Sequence, residues 1–382
     1  MSPATLLSPA GSAAAAPAAG GGKAVAVVPN PFTRAATEHI EPFDDRSQII
    51  QAAASTAFGP IDIPAFGYLR HILLLVQTSV AGVGGGNTVA ANEDAPWKAL
   101  RDITVTDVNG VPIIGPVTGY ELYLIDKWGG YNFDTDPANG PAYSAVAVGA
   151  GATGNLAFML RIPVEIAERD GLGALPNMNS SSTYKLWYTV APGSEIYSTP
   201  PATTYPTLRV RAFLEAWAQP PQADLRGMPN MTTPPAMGTS QFWSKTVVNV
   251  SAGDQRIRLT RVGNLIRNLL FVFRNATPAR NSTNFPDPIR LEWDGKILFN
   301  MSSLVWQNKM RENTGLAPDT GLFAMMMTTD MDYKIGNEMR DQYIATTQAT
   351  RLELVGSFGV AGTLTVLTND VAPAGDVYTT DF

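Results

Sequence analysis

The chain contains no cysteine. That excludes disulfides, thiolate nucleophiles, iron–sulfur clusters and Cys-ligated zinc. Only two histidines occur, His39 and His71, so a multi-His metal site within one chain is excluded as well. Charge is scarce: 16% of residues, against about a quarter in ordinary soluble proteins. The balance is mildly acidic, with 27 Lys and Arg against 33 Asp and Glu, a net charge of -6 and a pI near 5.1. Such a surface is a poor match for nucleic acid. No window reaches about 18 uninterrupted apolar residues, so no membrane-spanning helix is expected. A basic start followed by a compact apolar core is missing too, which argues against a secretory signal.

What the chain does have is turn formers, 34 Gly and 29 Pro. At roughly 100–200 residues per domain, 382 residues imply two or three domains. Low charge beside abundant Gly and Pro suggests a turn-rich β-protein that hides surface against neighbours. The first 33 residues are mostly Ala, Gly, Pro and Ser, with Lys23 the only charged side chain. Runs such as Ala13 to Ala16 and Gly20 to Gly22 bury too little to offset ordering entropy, so a flexible arm is expected there.

Beyond the arm, short alternating segments recur between Gly, Pro, Asn and Asp. Examples are Ile103 with Val105, Leu156 with Phe158, Leu208 with Val210, Ile257 with Leu259, and Leu364 with Val366. Period two with turn punctuation predicts antiparallel sandwiches or barrels. The most apolar stretches, Ile72 to Val76 and Leu269 to Phe273, have strand length and polar flanks, and read as buried strands. Helical spacing predicts two helices, Thr118 to Trp128 and Ser303 to Asn313, with Gly129 and Gly315 at their stops. Pro220-Pro221, Pro229 and Pro234-Pro235 lie between two strand-rich halves, so residues 219–241 read as a linker.

The halves repeat one another weakly but in order. Leu69-Arg70-His71-Ile72 leads into a buried run, and so does Ile266-Arg267-Asn268-Leu269. Each is followed by a loop, a strand, an Asx-Gly turn (Asn109-Gly110, then Asp294-Gly295), a short strand and a helix. The first copy carries the longer loop, around Gly82 to Asn92. Two copies of one β-fold are inferred.

Motifs for catalysis are weak. Gly149-Ala150-Gly151-Ala152-Thr153-Gly154 matches GxGxxG, but an alternating segment ending at Pro163 follows it, where a pyrophosphate site needs a helix. A glycine-rich hairpin is expected instead. Gly82 to Thr88 lacks the following Gly-Lys-Ser/Thr of a phosphate loop and reads as a surface loop. GxSxG is absent, and a Ser-His-Asp set would have to use His39 or His71. His71 beside Ile72 reads as a strand-end histidine with a satisfied hydrogen bond. Acidic pairs occur at Asp44-Asp45, Asp134 with Asp136, and Glu168 with Asp170. Paired carboxylates serve glycoside hydrolysis or calcium, yet Asp134 to Gly140 puts Ala138 where a third ligand belongs, and a solvated turn is expected. Trp128, Trp187, Trp293 and Trp306 are expected to pack in a core or interface, and Met325 to Met327 in an adaptable strand. No catalytic, cofactor or metal residue is assigned.

Residues 56–218 resemble the first half of the major capsid proteins of tectiviruses, icosahedral phages with an internal membrane. The resemblance rests on Phe66-Gly67-Tyr68-Leu69-Arg70, on Gly119-Tyr120-Glu121-Leu122-Tyr123-Leu124 after the Asn-Gly turn, and on Ala150 to Leu156 running into a strand closed by Ile162-Pro163. Leu172 to Leu175 and Lys185-Leu186 extend it; in the second half only the architecture matches. The resemblance implies an all-β chain of two tandem eight-stranded jelly rolls with short helices in loops. The expected layout is an N-terminal arm over 1–40, a first jelly roll over 41–218, the linker over 219–241, and a second jelly roll with C-terminal tail over 242–382. It further implies a non-enzymatic subunit that trimerises into pseudo-hexagonal capsomers tiling an icosahedral shell around a membrane and genome. The implied partners are itself, penton or vertex proteins and minor membrane-associated virion proteins. The implied location is the virion shell, assembled in the host cytoplasm, with no direct nucleic-acid contact. The family's N-terminal segment lies inside, toward the membrane. Here it is richer in Ala and Gly, so disorder or an arm reaching a neighbour stands beside a membrane contact. The long loops at Gly82 to Asn92, Tyr131 to Ala147 and Arg311 to Thr320 are candidates for outward decorations or trimer contacts.

Two other readings remain at this level. A carbohydrate-binding or glycoside-cleaving sandwich pair requires Asp134, Asp136, Glu165 and Glu168 to converge. A minor vertex or spike protein more often has a single jelly roll or a fibrous repeat.

Overall fold

The computed structural model describes residues 28–131, 135–275, 279–327, 343–346 and 351–372. Their strands of five or more residues fall into two runs of eight. The first comprises β1 (Glu38–Ile49), β2 (Thr56–Asp62), β3 (Tyr68–Val80), β4 (Leu100–Thr106), β5 (Pro112–Val117), β6 (Ala157–Pro163), β7 (Lys185–Val190) and β8 (Thr207–Trp217). The second comprises β9 (Ser240–Val250), β10 (Gly253–Leu259), β11 (Leu265–Asn275), β12 (Ile289–Trp293), β13 (Lys296–Met301), β14 (Leu322–Met326), β15 (Leu352–Phe358) and β16 (Gly362–Ala372).

Pairing turns each run into a jelly roll. In the first, one sheet has the order β1-β8-β3-β6 and the other β5-β4-β7-β2, all antiparallel. In the second, the orders are β9-β16-β11-β14 and β10-β15-β12-β13, again antiparallel. Each number in the second is its counterpart in the first raised by eight. The first strand pairing with the last is the wrap that makes two Greek keys into a jelly roll.

Alternation drives the packing. In β8, Leu208, Val210, Ala212 and Leu214 point inward and are buried, while Arg209 points out. The central strand β11 is buried on both faces from Leu265 to Phe273, which is why its sequence loses the alternation and reads as a continuous apolar run. The repeated Arg positions make equivalent backbone contacts in the two jelly rolls. The Arg70 carbonyl on β3 accepts from the amides of Val164 and Glu165 just past β6. The Arg267 carbonyl on β11 accepts from the amide of Met327 just past β14.

Both expected helices form at the same place in their jelly rolls. α1 (Gly119–Trp128) joins β5 to β6, and α2 (Ser303–Thr314) joins β13 to β14. α1 opens with a capping box: the Thr118 side chain accepts from the Glu121 amide, and the Glu121 carboxylate accepts from the Thr118 amide. α2 opens on Ser302 and closes on Gly315 in the left-handed region, φ 70. Their environments differ. Every residue of α1 is buried, whereas α2 buries only Trp306, Met310 and Thr314, one stripe at i, i+4, i+8.

Several connections are more ordered than expected. The loop from Gly82 to Asn92 contains a strand, Thr88–Ala91, held between Tyr197–Thr199 and Gly149–Ala150. The loop expected from Arg311 begins only at Gly315, because Arg311 to Thr314 complete α2. Of the expected arm, residues 1–27 lie outside the described residues, but the following stretch is docked. Phe32 is buried edge-on against Tyr68 at 5.3 Å, the amide of Asn30 donates to the Pro229 carbonyl, and β1 starts at Glu38. Apolar contact outweighs chain entropy from Asn30 onward. At the other end of the Pro-rich stretch, Gln241 belongs to β9.

Truncating a fully buried core side chain tests this layering. Leu270→Ala on β11 is expected to lower unfolding stability by about 2–5 kcal/mol. Asn308→Ala on the outer face of α2 should shift it by less than about 0.5 kcal/mol. Urea unfolding of both variants checks this; equal effects would contradict the assigned faces.

Candidate functional site

The chemistry-bearing side chains gather where the two jelly rolls meet. Among the described residues the strands of the two jelly rolls pair at one point, Ile114 on β5 running parallel beside Trp243 on β9. That pair joins four strands from each jelly roll into one sheet, β14-β11-β16-β9-β5-β4-β7-β2. α1 lies buried at this seam, and its polar residues reach partners on both sides. Lys127 Nζ stands 2.6 Å from Asp136 Oδ2 and 3.1 Å from Asp319 Oδ2, and Trp128 Nε1 donates to Asp319 at 2.9 Å. Glu121 pairs with Lys245 of β9 at 2.7 Å. Arg280 donates to the Tyr120 hydroxyl at 2.6 Å and stands 3.1 Å from Asp94, which also pairs with Arg274 at 2.6 Å.

A network built around one side-chain amide continues the seam. Gln241 Nε2 donates to the carbonyls of Val164 and Glu165, at 3.2 and 2.9 Å. Its Oε1 accepts from the Tyr131 hydroxyl at 2.8 Å and from Asn369 at 3.0 Å. Arg267 completes the network by donating to the Tyr131 hydroxyl at 2.9 Å. Gln241 thus spans both jelly rolls with one amide.

A charged cluster adjoins this network. Arg70 donates to Glu165 at 2.7 Å and to Glu38 at 2.5 Å, and its guanidinium lies 4.0 Å from the Trp217 ring centre. The Trp217 indole donates to the other Glu165 oxygen at 2.8 Å. Arg161 faces Glu168 at 3.6 Å and Glu215 at 4.0 Å. Burial pushes the Glu165 carboxyl up to about 7, against the pull of Arg70. Burial likewise holds the His71 imidazole down at about 4.

The candidate residues named from sequence are placed as follows. His71 does not sit at a strand end. It lies within β3, fully buried, and among the described residues neither ring nitrogen has a hydrogen-bond partner. Its Nε2 faces Glu168 at 3.6 Å and Glu165 at 3.8 Å. His39 stacks on Phe66 at 4.0 Å and pairs with Glu41 at 3.0 Å, apart from that cluster. Asp44 binds Arg46 at 3.0 Å, and Asp45 pairs with Arg209. Asp170 accepts from the Leu172 amide within a turn. Asp134 lies outside the described residues. Glu165 and Glu168 come together, whereas Asp136 is tied to Lys127, Tyr123 and the Ala138 amide. The glycine-rich stretch after Gly149 leads into β6, with the Tyr197 hydroxyl donating to the Gly154 carbonyl at 2.6 Å. Trp128 and Trp306 are buried, Trp187 and Trp293 half-buried.

No protein-family model matches the chain, and no curated protein matches it either. Solved structures do. The STIV MCP superposes with a TM-score of 0.64 at 13% identity, over 91% of this chain and 100% of that one. The PBCV-1 virus capsid matches with a TM-score of 0.55 at 9% identity, over 88% of this chain and 94% of that one. The major capsid protein P2 of bacteriophage PM2 gives 0.53 at 10% identity, over 89% and 99%. The fold is the double jelly roll of viral capsid proteins. At these identities the likeness is one of fold.

Two outcomes test the seam. Tyr131→Phe removes the hydroxyl shared by Gln241 and Arg267 and is expected to cost about 1–3 kcal/mol, read as a lower urea midpoint. The second concerns Asp126 of α1, whose Oδ2 accepts from the Arg161 amide at 2.7 Å. Burial raises its pKa well above the usual carboxylate range. A raised folded pKa favours the native state at low pH and costs it stability as pH climbs. Asp126→Asn keeps the acceptor and removes the charge. Its stability relative to wild type should therefore improve as pH rises above the ordinary carboxylate range; a pH-independent difference would contradict the assignment.

Proposed function

We propose that the chain is a major capsid protein that trimerises and tiles an icosahedral shell. One observation carries the reading: corresponding flanks of the two jelly rolls are covered in one and open in the other. In the first jelly roll, the β5 and α1 flank is sealed by β9 of the second. In the second, the matching flank of β13 and α2 has no covering strand among the described residues, and it exposes Ile297, Leu298, Leu304 and Val305. The counterpart of β9 is β1, also an uncovered edge among the described residues, which exposes Ile40 and Ile49. Repeating the internal joint between chains sets β13 and α2 of one chain against β1 of the next. A ring of six jelly rolls sets neighbours about 60° apart, and head-to-tail contacts of that rotation would close after three chains. Open sheet edges and exposed apolar side chains on both surfaces support such pairing.

The division implied for the chain accompanies this reading: an N-terminal arm, jelly rolls on either side of the 219–241 linker, and a C-terminal tail. So do the internal membrane, the genome within the shell, and vertex and membrane-associated partners, with the arm disordered, reaching a neighbour or turned inward to the membrane. The role is structural, carried out in the virion shell, with no catalysis and no direct nucleic-acid contact.

Light scattering after size exclusion tests the assembly unit. Three chains of 40.8 kDa make about 122 kDa, and that species should resist dilution. Ile297→Glu with Leu304→Glu should yield a folded monomer with an unchanged far-UV spectrum. A wild-type monomer of about 41 kDa would remove the trimer and direct attention to a glycan screen.

A further inference from the structure

We infer that His71, Glu165 and Glu168 form a binding site for one divalent cation of the zinc class. Among the described residues this is the one cluster of His, Asp and Glu with three ligand atoms mutually within 4.8 Å. His71 Nε2 stands 3.8 Å from Glu165 Oε2 and 3.6 Å from Glu168 Oε1. A tetrahedral zinc ion with bonds of about 2.0–2.2 Å spaces its ligand atoms roughly 3.3–3.5 Å apart. The two imidazole–carboxylate distances need to close by a few tenths of an ångström, and the two carboxylate oxygens lie within 4.8 Å of each other.

The imidazole supplies the independent observation. It is fully buried, its Nε2 faces both carboxylates, and among the described residues that nitrogen has no hydrogen-bond partner. A buried polar group without a partner calls for an unseen occupant. Charge points the same way. Glu38, Glu165, Glu168 and Glu215 gather around two guanidiniums, Arg70 and Arg161. With the carboxylates ionised and the imidazole neutral, two negative charges are left over, which one divalent ion offsets.

The supporting contacts suit a metal centre. Glu165 is oriented by Trp217 through Oε1 and by Arg70 through Oε2, and such outer partners fix a ligating carboxylate. Glu168 keeps about a quarter of its side-chain surface exposed and lines a cleft of about 510 Å³, which provides an entry path and room for a water ligand. A nitrogen ligand with two carboxylates selects zinc-like ions over calcium or magnesium. The ion would clip β3 to the segment past β6, whose carbonyls hold Gln241 at the seam. This holds whether or not the chain assembles.

The test uses the full chain, stripped by chelator and given Zn²⁺ alone, with uptake followed by calorimetry and metal analysis. One ion per chain is expected, with Tm rising by roughly 3 °C at a hundredfold excess over Kd. Glu168→Gln should weaken binding about tenfold or more, and His39→Asn should leave it unchanged. His71→Asn should abolish uptake; should that variant fail to fold, Glu168→Gln decides. No uptake by the wild type, equal affinity in Glu168→Gln, or loss of uptake in His39→Asn would each overturn the site, the last reassigning it to the surface pair of His39 and Glu41.

Discussion

The structure depends on a helix that has no face toward solvent. α1 is buried along its whole length, yet it carries Glu121, Asp126 and Lys127. A buried charge without a partner costs several kcal/mol, so each must meet a specific group. Glu121 meets its own capping site and Lys245, Asp126 meets the Arg161 amide, and Lys127 meets Asp136 and Asp319. Two of these partners, Lys245 and Asp319, belong to the second jelly roll. Buried ion pairs of this kind need not add net stability, but they penalise every other arrangement. They therefore fix how the two jelly rolls stand, and the parallel pair of Ile114 and Trp243 follows in register.

Duplication supplies the same topology twice and then lets the surroundings diverge. α1 and α2 occupy equivalent positions, begin with similar caps and end near glycine. One is wedged between two sandwiches and apolar on all sides, with charges only where partners wait. The other keeps one buried stripe and a polar outer surface interrupted by Leu304 and Val305. The strand edges diverge likewise, β5 being covered and β13 open.

Local features were legible in the sequence. Alternation marks the strands, the capping residues mark both helices, and the Asx-Gly turns fall between β4 and β5 and between β12 and β13, where the repeat requires them. These signals are carried by residues close in the chain. The seam is different, because many of its partners are separated by a hundred residues or more, as with Tyr131 and Gln241, or Lys127 and Asp319. Only half of that signal exists locally: Arg70 and Arg267 interrupt apolar runs, and Asp126-Lys127 interrupt an apolar helix, so each announces a buried partner without naming it. His71 misleads for the same reason. Its neighbours in sequence suggest a quiet strand, whereas its neighbours in space are Glu165 and Glu168. The docking of Phe32 on Tyr68 and Trp217 was also hidden, since its benefit comes from side chains far along the chain.

The depth of the seam has a consequence for behaviour in brine. Mobile ions weaken interactions between charges that water reaches, over a screening distance of about 8–10 Å near physiological strength. Lys127, Asp94 and Glu121 are largely shut off from water, so dissolved salt has little purchase on their pairings. Apolar flanks such as that of Ile297 and Leu304 respond in the opposite sense, since salting-out anions strengthen apolar association. Changes in ionic strength therefore act on the outside of this subunit and leave the bond between its halves alone.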